Sequence, residues 1–235
     1  MEPLLISRMG GSPEIFASIQ GEGVSAGCPS TFVRLAVCNL QCSWCDTAYT
    51  WDWARYRKSE QIVELTPEAV VAAVAERKPT NVVITGGEPL IQRRQLLPLV
   101  RQLRASGYRI ELETNGTIAP GELAGEVDQW NVSPKLAHSG NEGLRRINRS
   151  TLSAFAACPR ASFKFVMQTA SDLEEVEALR ERFAIPSDRI VLMPEGRTAA
   201  ELDARSAWLA EACSKRGFRF SSRLHILIWG DKRGV

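Results

Sequence analysis

The chain has 235 residues, of which 44% are apolar and 24% charged, and its formal net charge is +2. Those values belong to an ordinary globule and give no ground for wholesale attraction to nucleic acid or to a membrane surface. No apolar run approaches the ~18–20 residues that span a bilayer, and Met1–Gly11 lacks the layout of a secretory signal, so a reducing cytoplasm is the expected compartment.

In chain order, Gly10-Gly11-Ser12-Pro13 reads as a loop, and Thr31-Phe32-Val33-Arg34-Leu35 as a strand running into a cysteine cluster. Arg55-Tyr56-Arg57-Lys58 is a short basic patch of the kind found on solvated loops. Thr66 is placed to cap a helix that has Pro67 at its first position and Val70, Val71 and Val74 on one face. Asn81–Ile84 is a short buried strand that ends at Thr85-Gly86-Gly87-Glu88-Pro89, and a helix around Leu96–Ala105 is closed by Gly107. Arg109–Glu113 is the next strand, ending at Thr114-Asn115-Gly116, and Gln129–Val132 the next, ending at Ser133-Pro134-Lys135. A loop covers His138–Gly143, and Phe163–Met167 is again a strand. Ser171 with Glu174 and Thr198 with Glu201 have capping-box spacing and open two late helices. Between them Ile190–Met193 is a strand ending at Pro194-Glu195-Gly196, and Phe218–Ser221 is the last.

Strand and helix alternate, and the strands are nearly continuous apolar runs. That pattern calls for an α/β fold in which helices cover a mostly parallel sheet, in a single domain over residues 1–235. The polar and glycine-rich clusters fall at the C-terminal ends of successive strands, the face where such folds build active sites.

Six cysteines are present, and three fall within eight residues as Cys38-Asn39-Leu40-Gln41-Cys42-Ser43-Trp44-Cys45. Structural zinc takes four ligands, and His138 and His225, the only histidines, are both remote in sequence. Iron–sulfur clusters usually take four cysteines. Three thiolates with one open iron suit a cluster whose fourth corner binds a substrate or cofactor. Cys28, Cys158 and Cys213 read as small buried hydrophobes. His138 reads as a loop residue, His225 as a packing or hydrogen-bonding group, and Trp51, Trp53, Trp130 and Trp208 as core or interface aromatics.

The C-x3-C-x2-C spacing with an aromatic before the last cysteine resembles the signature of the radical S-adenosylmethionine superfamily. Gly86-Gly87-Glu88-Pro89 resembles that family's glycine-rich strand end, where absence of a Cβ lets a ligand approach the backbone. A finer resemblance rests on Phe16–Gly23, Phe32-Val33-Arg34, Cys45-Asp46-Thr47, Glu113–Gly116 and Ser133-Pro134-Lys135. Together these are similar to the 7-carboxy-7-deazaguanine synthases over Ile15–Gly196.

The resemblance implies a partial β/α barrel with a curved sheet, and conversion of 6-carboxy-5,6,7,8-tetrahydropterin to 7-carboxy-7-deazaguanine with loss of ammonia. Cys38, Cys42 and Cys45 would hold one 4Fe-4S cluster, and Thr47 would ligate Mg2+. Trp44, Cys45, Asp46, Gly87, Glu88, Ser133, Pro134, Lys135 and Met193 would hold S-adenosylmethionine. Ile19, Gln20, Gly21, Glu22, Arg34, Thr85, Glu113 and Asn115 would line the pterin pocket, with Arg34 facing the substrate carboxylate as a bidentate cation. An external low-potential electron donor and a homodimer are implied as well. Relatives of this kind often end soon after a strand and a histidine, close to the substrate; here ten residues follow His225, which leaves Val235 or Trp229 for that place.

Two other readings share parts of the pattern. An activase that places a glycyl radical on a partner protein would use the cysteine loop and Gly86-Gly87-Glu88, but has no need of Gln20-Gly21-Glu22-Gly23 or Arg34. A non-catalytic iron–sulfur or zinc protein would use the cysteines and form no deoxyadenosine.

Overall fold

The computed structural model describes residues 2–235. The chain opens with β1 (Leu4–Met9), β2 (Ser12–Pro13), β3 (Ile15–Ile19) and β4 (Pro29–Leu35), followed by α1 (Lys58–Gln61), β5 (Ile62–Leu65) and α2 (Pro67–Ala75). Then come β6 (Asn81–Gly86), α3 (Arg93–Ala105), β7 (Arg109–Thr114), β8 (Gln129–Val132), α4 (Gly143–Arg146) and α5 (Arg149–Ala157). The last part holds β9 (Ala161–Met167), α6 (Asp172–Phe183), β10 (Ile190–Pro194), α7 (Ala199–Arg216), β11 (Arg219–Phe220) and α8 (Leu224–Trp229).

One 11-stranded sheet runs in the order β11-β10-β9-β8-β7-β6-β4-β1-β2. From β4 to β11 every neighbouring pair is parallel. The sheet is mixed α/β, mostly parallel and unclosed, as the alternation of patterns implies. Three antiparallel additions go beyond that expectation: β3 pairs along β4, β1 joins β4 at Ile6–Leu35, and β5 pairs with β1. The segment Gly10–Pro13 is not a plain loop either, because Ser12 and Pro13 fold back as β2 onto Arg8 and Met9.

Local chemistry accounts for most element boundaries. The Thr66 hydroxyl accepts from the Ala69 N–H ahead of α2, with Pro67 where a missing donor costs nothing. Thr198 and Glu201 form a reciprocal capping box that opens α7. The box expected at Ser171 and Glu174 does not form. The Asp172 carboxylate takes the N–H groups of Gln168 and Thr169 instead, and the Ser171 hydroxyl pairs with Thr169. The Glu174 N–H donates to the Ser171 carbonyl at 3.2 Å, while the Ser171 hydroxyl is turned to Thr169. In α3, Leu96, Leu99, Val100 and Leu103 are fully buried at helical spacing, and each contributes roughly 1.5–3 kcal/mol by leaving water. Of the scattered cysteines, Cys213 is buried, Cys158 half-buried and Cys28 exposed, so Cys28 is no core residue. Among the described residues no helix is long and apolar enough to cross a membrane.

Strand pleating separates two faces. Val33, Leu35, Ile84, Leu112, Trp130, Val132, Phe163, Phe165 and Leu192 point into the layer beneath the helices and form the core. Side chains one residue out of phase point to the opposite, concave face. There the gap between β11 and the start of the sheet is bridged without a strand pair. Gly23 N–H donates to Ser221 Oγ at 2.8 Å, and Leu224 N–H donates to the Gly21 carbonyl at 2.9 Å.

Candidate active site

The concave face bounds a cleft that is open to solvent at its mouth. The out-of-phase residues of six parallel strands reach it: Arg34 of β4, Thr85 of β6, Glu113 of β7, Asn131 of β8, Lys164 and Val166 of β9, and Met193 of β10. Loops at the C-terminal strand ends supply the rest, including all three clustered cysteines.

The cysteine loop leaves β4 through Val37, a β-branched residue with φ of 75°. That conformation costs on the order of 1–3 kcal/mol. It is held by Val37 N–H on the Thr50 carbonyl at 2.8 Å and by the Val37 carbonyl on Glu88 N–H at 2.8 Å. A Cβ at Gly87 would lie 2.1 Å from the Val37 oxygen, so the glycine is required by the chain's own backbone turning beside it. The loop following β8 then wraps the cysteines from outside. Ser43 N–H donates to the Ser139 carbonyl at 3.0 Å, Gln41 N–H to Asn141 Oδ1 at 2.9 Å, and Asn141 Nδ2 to Cys42 Sγ at 3.4 Å. On the inner side Trp51 Nε1 donates to Cys45 Sγ at 3.3 Å, and Thr47 Oγ1 lies 3.6 Å from the same sulfur.

Burial pushes the Cys38 thiol up to about 12 and raises Cys42 as well. Thiols in such surroundings ionise only against strong positive charge, which the iron of a cluster supplies. Cys38, Cys42 and Cys45 all border the cleft, and three thiols suit three corners of a larger group, as in a cluster, where a structural zinc takes four ligands. The donor set fits a 4Fe-4S cluster with one corner free of protein.

Beside the loop, Trp44 Nε1 donates to His138 Nδ1 at 3.0 Å, while His138 Nε2 sits 3.0 Å from the Val166 carbonyl. The pair fixes the tautomer with the proton on Nε2. Lys135 lies 5.6 Å over the Trp44 ring and donates to Ser133 Oγ at 2.9 Å. His138 thus orients the indole and is not the bland loop residue expected.

The far end of the cleft is a buried charge network. Arg223 Nε donates to Glu22 Oε1 at 2.8 Å and Nη1 to the Gly196 carbonyl at 2.7 Å, while Nη2 bonds Asp46. Lys164 pairs with the other Glu22 oxygen. Burial opposes ionisation of Glu22, but Lys164 and Arg223 outweigh it and hold the carboxyl well below the usual range. Burial likewise works against Asp46, which Arg223 keeps below its ordinary value. His225 packs over Gly21, where a Cβ would meet its Nδ1 at 2.1 Å. Its burial lowers its pKa, and the Glu22 charge offsets only part of that.

Gln20 Nε2 donates to Glu111 at 3.0 Å and to Glu113 at 3.2 Å, and Thr85 Oγ1 donates to Glu113 at 2.6 Å. Arg34 Nε donates to Glu14 at 2.9 Å. One edge of the guanidinium is therefore already paired, which leaves its terminal nitrogens, rather than a free fork, for a further acceptor. Glu14 also receives Arg233, whose guanidinium lies 3.5 Å over the Tyr49 ring.

Of the residues singled out in the sequence, Ile19, Gln20, Gly21, Glu22, Arg34, Thr85, Glu113 and Asn115 all border the cleft. So do Cys38, Cys42, Trp44, Cys45, Asp46, Thr47, Gly87, Ser133, Lys135 and Met193. Glu88 and Pro134 do not. The Glu88 carboxylate is fully buried and accepts from Leu90 N–H, Thr114 Oγ1 and Asn115 N–H at 3.0, 2.8 and 2.7 Å. It fastens β6 to β7 behind the cleft. Trp51 borders the cleft rather than the core, and Val235 reaches the cleft whereas Trp229 is partly exposed outside it. Sequence reasoning missed Lys164, Arg223, Glu14 and His138. For Lys164 a signal existed: a lone lysine out of phase with Phe163 and Phe165 in an otherwise apolar strand.

The radical SAM superfamily family model matches residues 33–195. The chain is 43% identical to the 7-carboxy-7-deazaguanine synthase of Pyrobaculum aerophilum, over 94% of this chain and 95% of the relative. It is 38% identical to the enzyme of the same name from Halobacterium salinarum, over 93% and 90%. Among solved structures it resembles the crystal structure of QueE from Escherichia coli, with a TM-score of 0.70, 26% identity, and 95% and 94% of the two chains covered.

Proposed function

Because this chain belongs to the radical SAM superfamily and, within it, to the 7-carboxy-7-deazaguanine synthases, we propose that it converts 6-carboxy-5,6,7,8-tetrahydropterin to 7-carboxy-7-deazaguanine and ammonia in the supply of queuosine-type bases. The observation that carries this reading is the joining of three thiols and a pocket of paired charges and hydrogen-bonding side chains in one cleft.

Cys38, Cys42 and Cys45 would hold a 4Fe-4S cluster, which would supply an electron, taken from an external low-potential donor, for reductive cleavage of S-adenosylmethionine to methionine and a carbon radical. The chain's own residues hold, orient and shield. Trp44, steadied by His138 and flanked by Lys135, presents an indole face and a cation to the nucleoside side of the cofactor. Arg34, Lys164 and Arg223 bring cationic donors to the opposite end, each already paired with Glu14, Glu22 or Asp46, and their remaining N–H groups suit the substrate carboxylate. Glu113, held by Gln20 and Thr85, offers a fixed acceptor to the N–H edge of the pterin ring. Asn115 and Met193 close the wall between the two ends. The Thr47 hydroxyl at the cysteine loop is the side chain assigned to Mg2+, which keeps most of its ligands as water and substrate oxygens. A homodimer belongs to this reading and is supported by the exposed Leu227, Ile228 and Trp229 on α8.

The test is anaerobic incubation of the iron-loaded chain with reductant, S-adenosylmethionine, Mg2+ and the carboxypterin. Carboxydeazaguanine forms, and the Cys38→Ala variant forms neither it nor deoxyadenosine. Deoxyadenosine without carboxydeazaguanine would remove the substrate assignment and leave the superfamily chemistry.

A further inference from the structure

Two of the three clustered cysteine sulfurs meet side-chain N–H groups, and the two donors differ in origin. Cys42 receives the Asn141 side-chain amide at 3.4 Å, and Cys45 the Trp51 indole at 3.3 Å. Asn141 is set by Gln41 N–H on its Oδ1 at 2.9 Å, and its Nδ2 also lies 3.3 Å from Ser139 Oγ and 3.4 Å from the Ser139 carbonyl. Trp51 is set by its own N–H on the Ala48 carbonyl at 3.1 Å, next to the Thr50 carbonyl that holds Val37. Both are partly shielded from water, where a dipole aimed at sulfur acts strongly.

We propose that Asn141 and Trp51 set the reduction potential of the cluster by donating N–H···S hydrogen bonds to two of its three protein sulfurs. This rests on the cluster assignment made above. Reduction brings in one electron from the external low-potential donor, and its charge spreads onto the sulfurs. A donor pointing at sulfur stabilises that more negative state over the oxidised one and raises the potential. No proton moves, since both N–H groups remain on nitrogen. The two act on different sulfurs from different sides of the loop, so their effects add. Neither is a cluster ligand: both are positioning residues that act on the electron through sulfur.

The test uses the full-length iron-loaded protein without S-adenosylmethionine, titrated against potential and read by electron paramagnetic resonance. At the wild-type midpoint, where half of the cluster is reduced, Trp51→Phe and Asn141→Leu each lower the reduced-to-oxidised ratio by about threefold or more, and the double variant lowers it by the product. Unchanged midpoints in both single variants at wild-type iron content overturn the inference. A second measurement does not depend on any variant's folding. In wild-type protein carrying 15N-labelled indoles, pulsed resonance of the reduced cluster detects a coupled indole nitrogen, and absence of that coupling also overturns it. Should the wild type itself fail to assemble a 4Fe-4S cluster, the proposed function falls first and this inference with it.

Discussion

Replacing Glu88 by Gln separates a scaffold role from a cofactor role at that position. The buried carboxylate serves three donors with two oxygens: Leu90 N–H and Thr114 Oγ1 on one, Asn115 N–H on the other. Glutamine keeps a single acceptor oxygen and turns an amide NH2 toward a backbone N–H. One buried backbone donor is then left unpaired, which costs about 2–3 kcal/mol. In a chain of this size each kcal/mol moves the unfolding midpoint by roughly 2–4 °C, so the expected fall is about 4–12 °C. The assay is thermal unfolding of the iron-free protein at neutral pH, followed by S-adenosylmethionine binding to the iron-loaded form. Binding weakens by less than about fivefold, because the Glu88 carboxylate does not border the cleft and acts on it only through Thr114, the Asn115 backbone and the backbone of Gly87 and Val37. An unchanged midpoint together with a tenfold or greater loss of cofactor affinity would refute the reasoning and return Glu88 to the cofactor.

Three further outcomes follow from the same geometry. Gly87→Ala places a methyl 2.1 Å from the Val37 oxygen and 3.0 Å from Cys38 N, so the strand end and cysteine loop move apart and iron content after reconstitution falls well below wild type. His138→Ala leaves the Trp44 indole N–H without its acceptor and weakens S-adenosylmethionine binding by about fivefold to tenfold; His138→Gln, which can still accept, restores part of it, and quantum yield of Trp44 fluorescence follows the same order. Because the Glu22 carboxyl is held low in the folded state, its contribution to stability is complete above the ordinary value near pH 4.3–4.5 and is lost as pH falls through the depressed folded value. Glu22→Gln is therefore less stable than wild type at neutral pH, and urea midpoints of the two proteins converge in acid; parallel curves down to pH 2 would exclude the Lys164–Glu22–Arg223 network as a source of stability.

Much of this architecture is legible in the linear sequence because its signals are local. Apolar runs of four to seven residues ending in Gly-Gly-Glu, Thr-Asn-Gly or Ser-Pro-Lys place strands and the face at which they end, and the cysteine spacing names the group that face would hold. Thr66 and Thr198 cap their helices as read, since a hydroxyl three residues from a free N–H needs no distant partner. Ser171 does not cap its helix, because its hydroxyl pairs with the neighbouring Thr169 hydroxyl instead.

Tertiary structure alone decided the rest. The concave wall depends on which parity of each strand faces inward, and Lys164 joins Glu22 across 142 residues of chain only once β9 has taken its place beside β8 and β10. Arg223 belongs to no motif, yet it ties Glu22, Asp46 and Gly196 together because the segment after β11 spans the gap in the open sheet. Sequence carries the identities of charges but not their partners, and a charge stays buried only where folding delivers an opposite one within hydrogen-bonding reach.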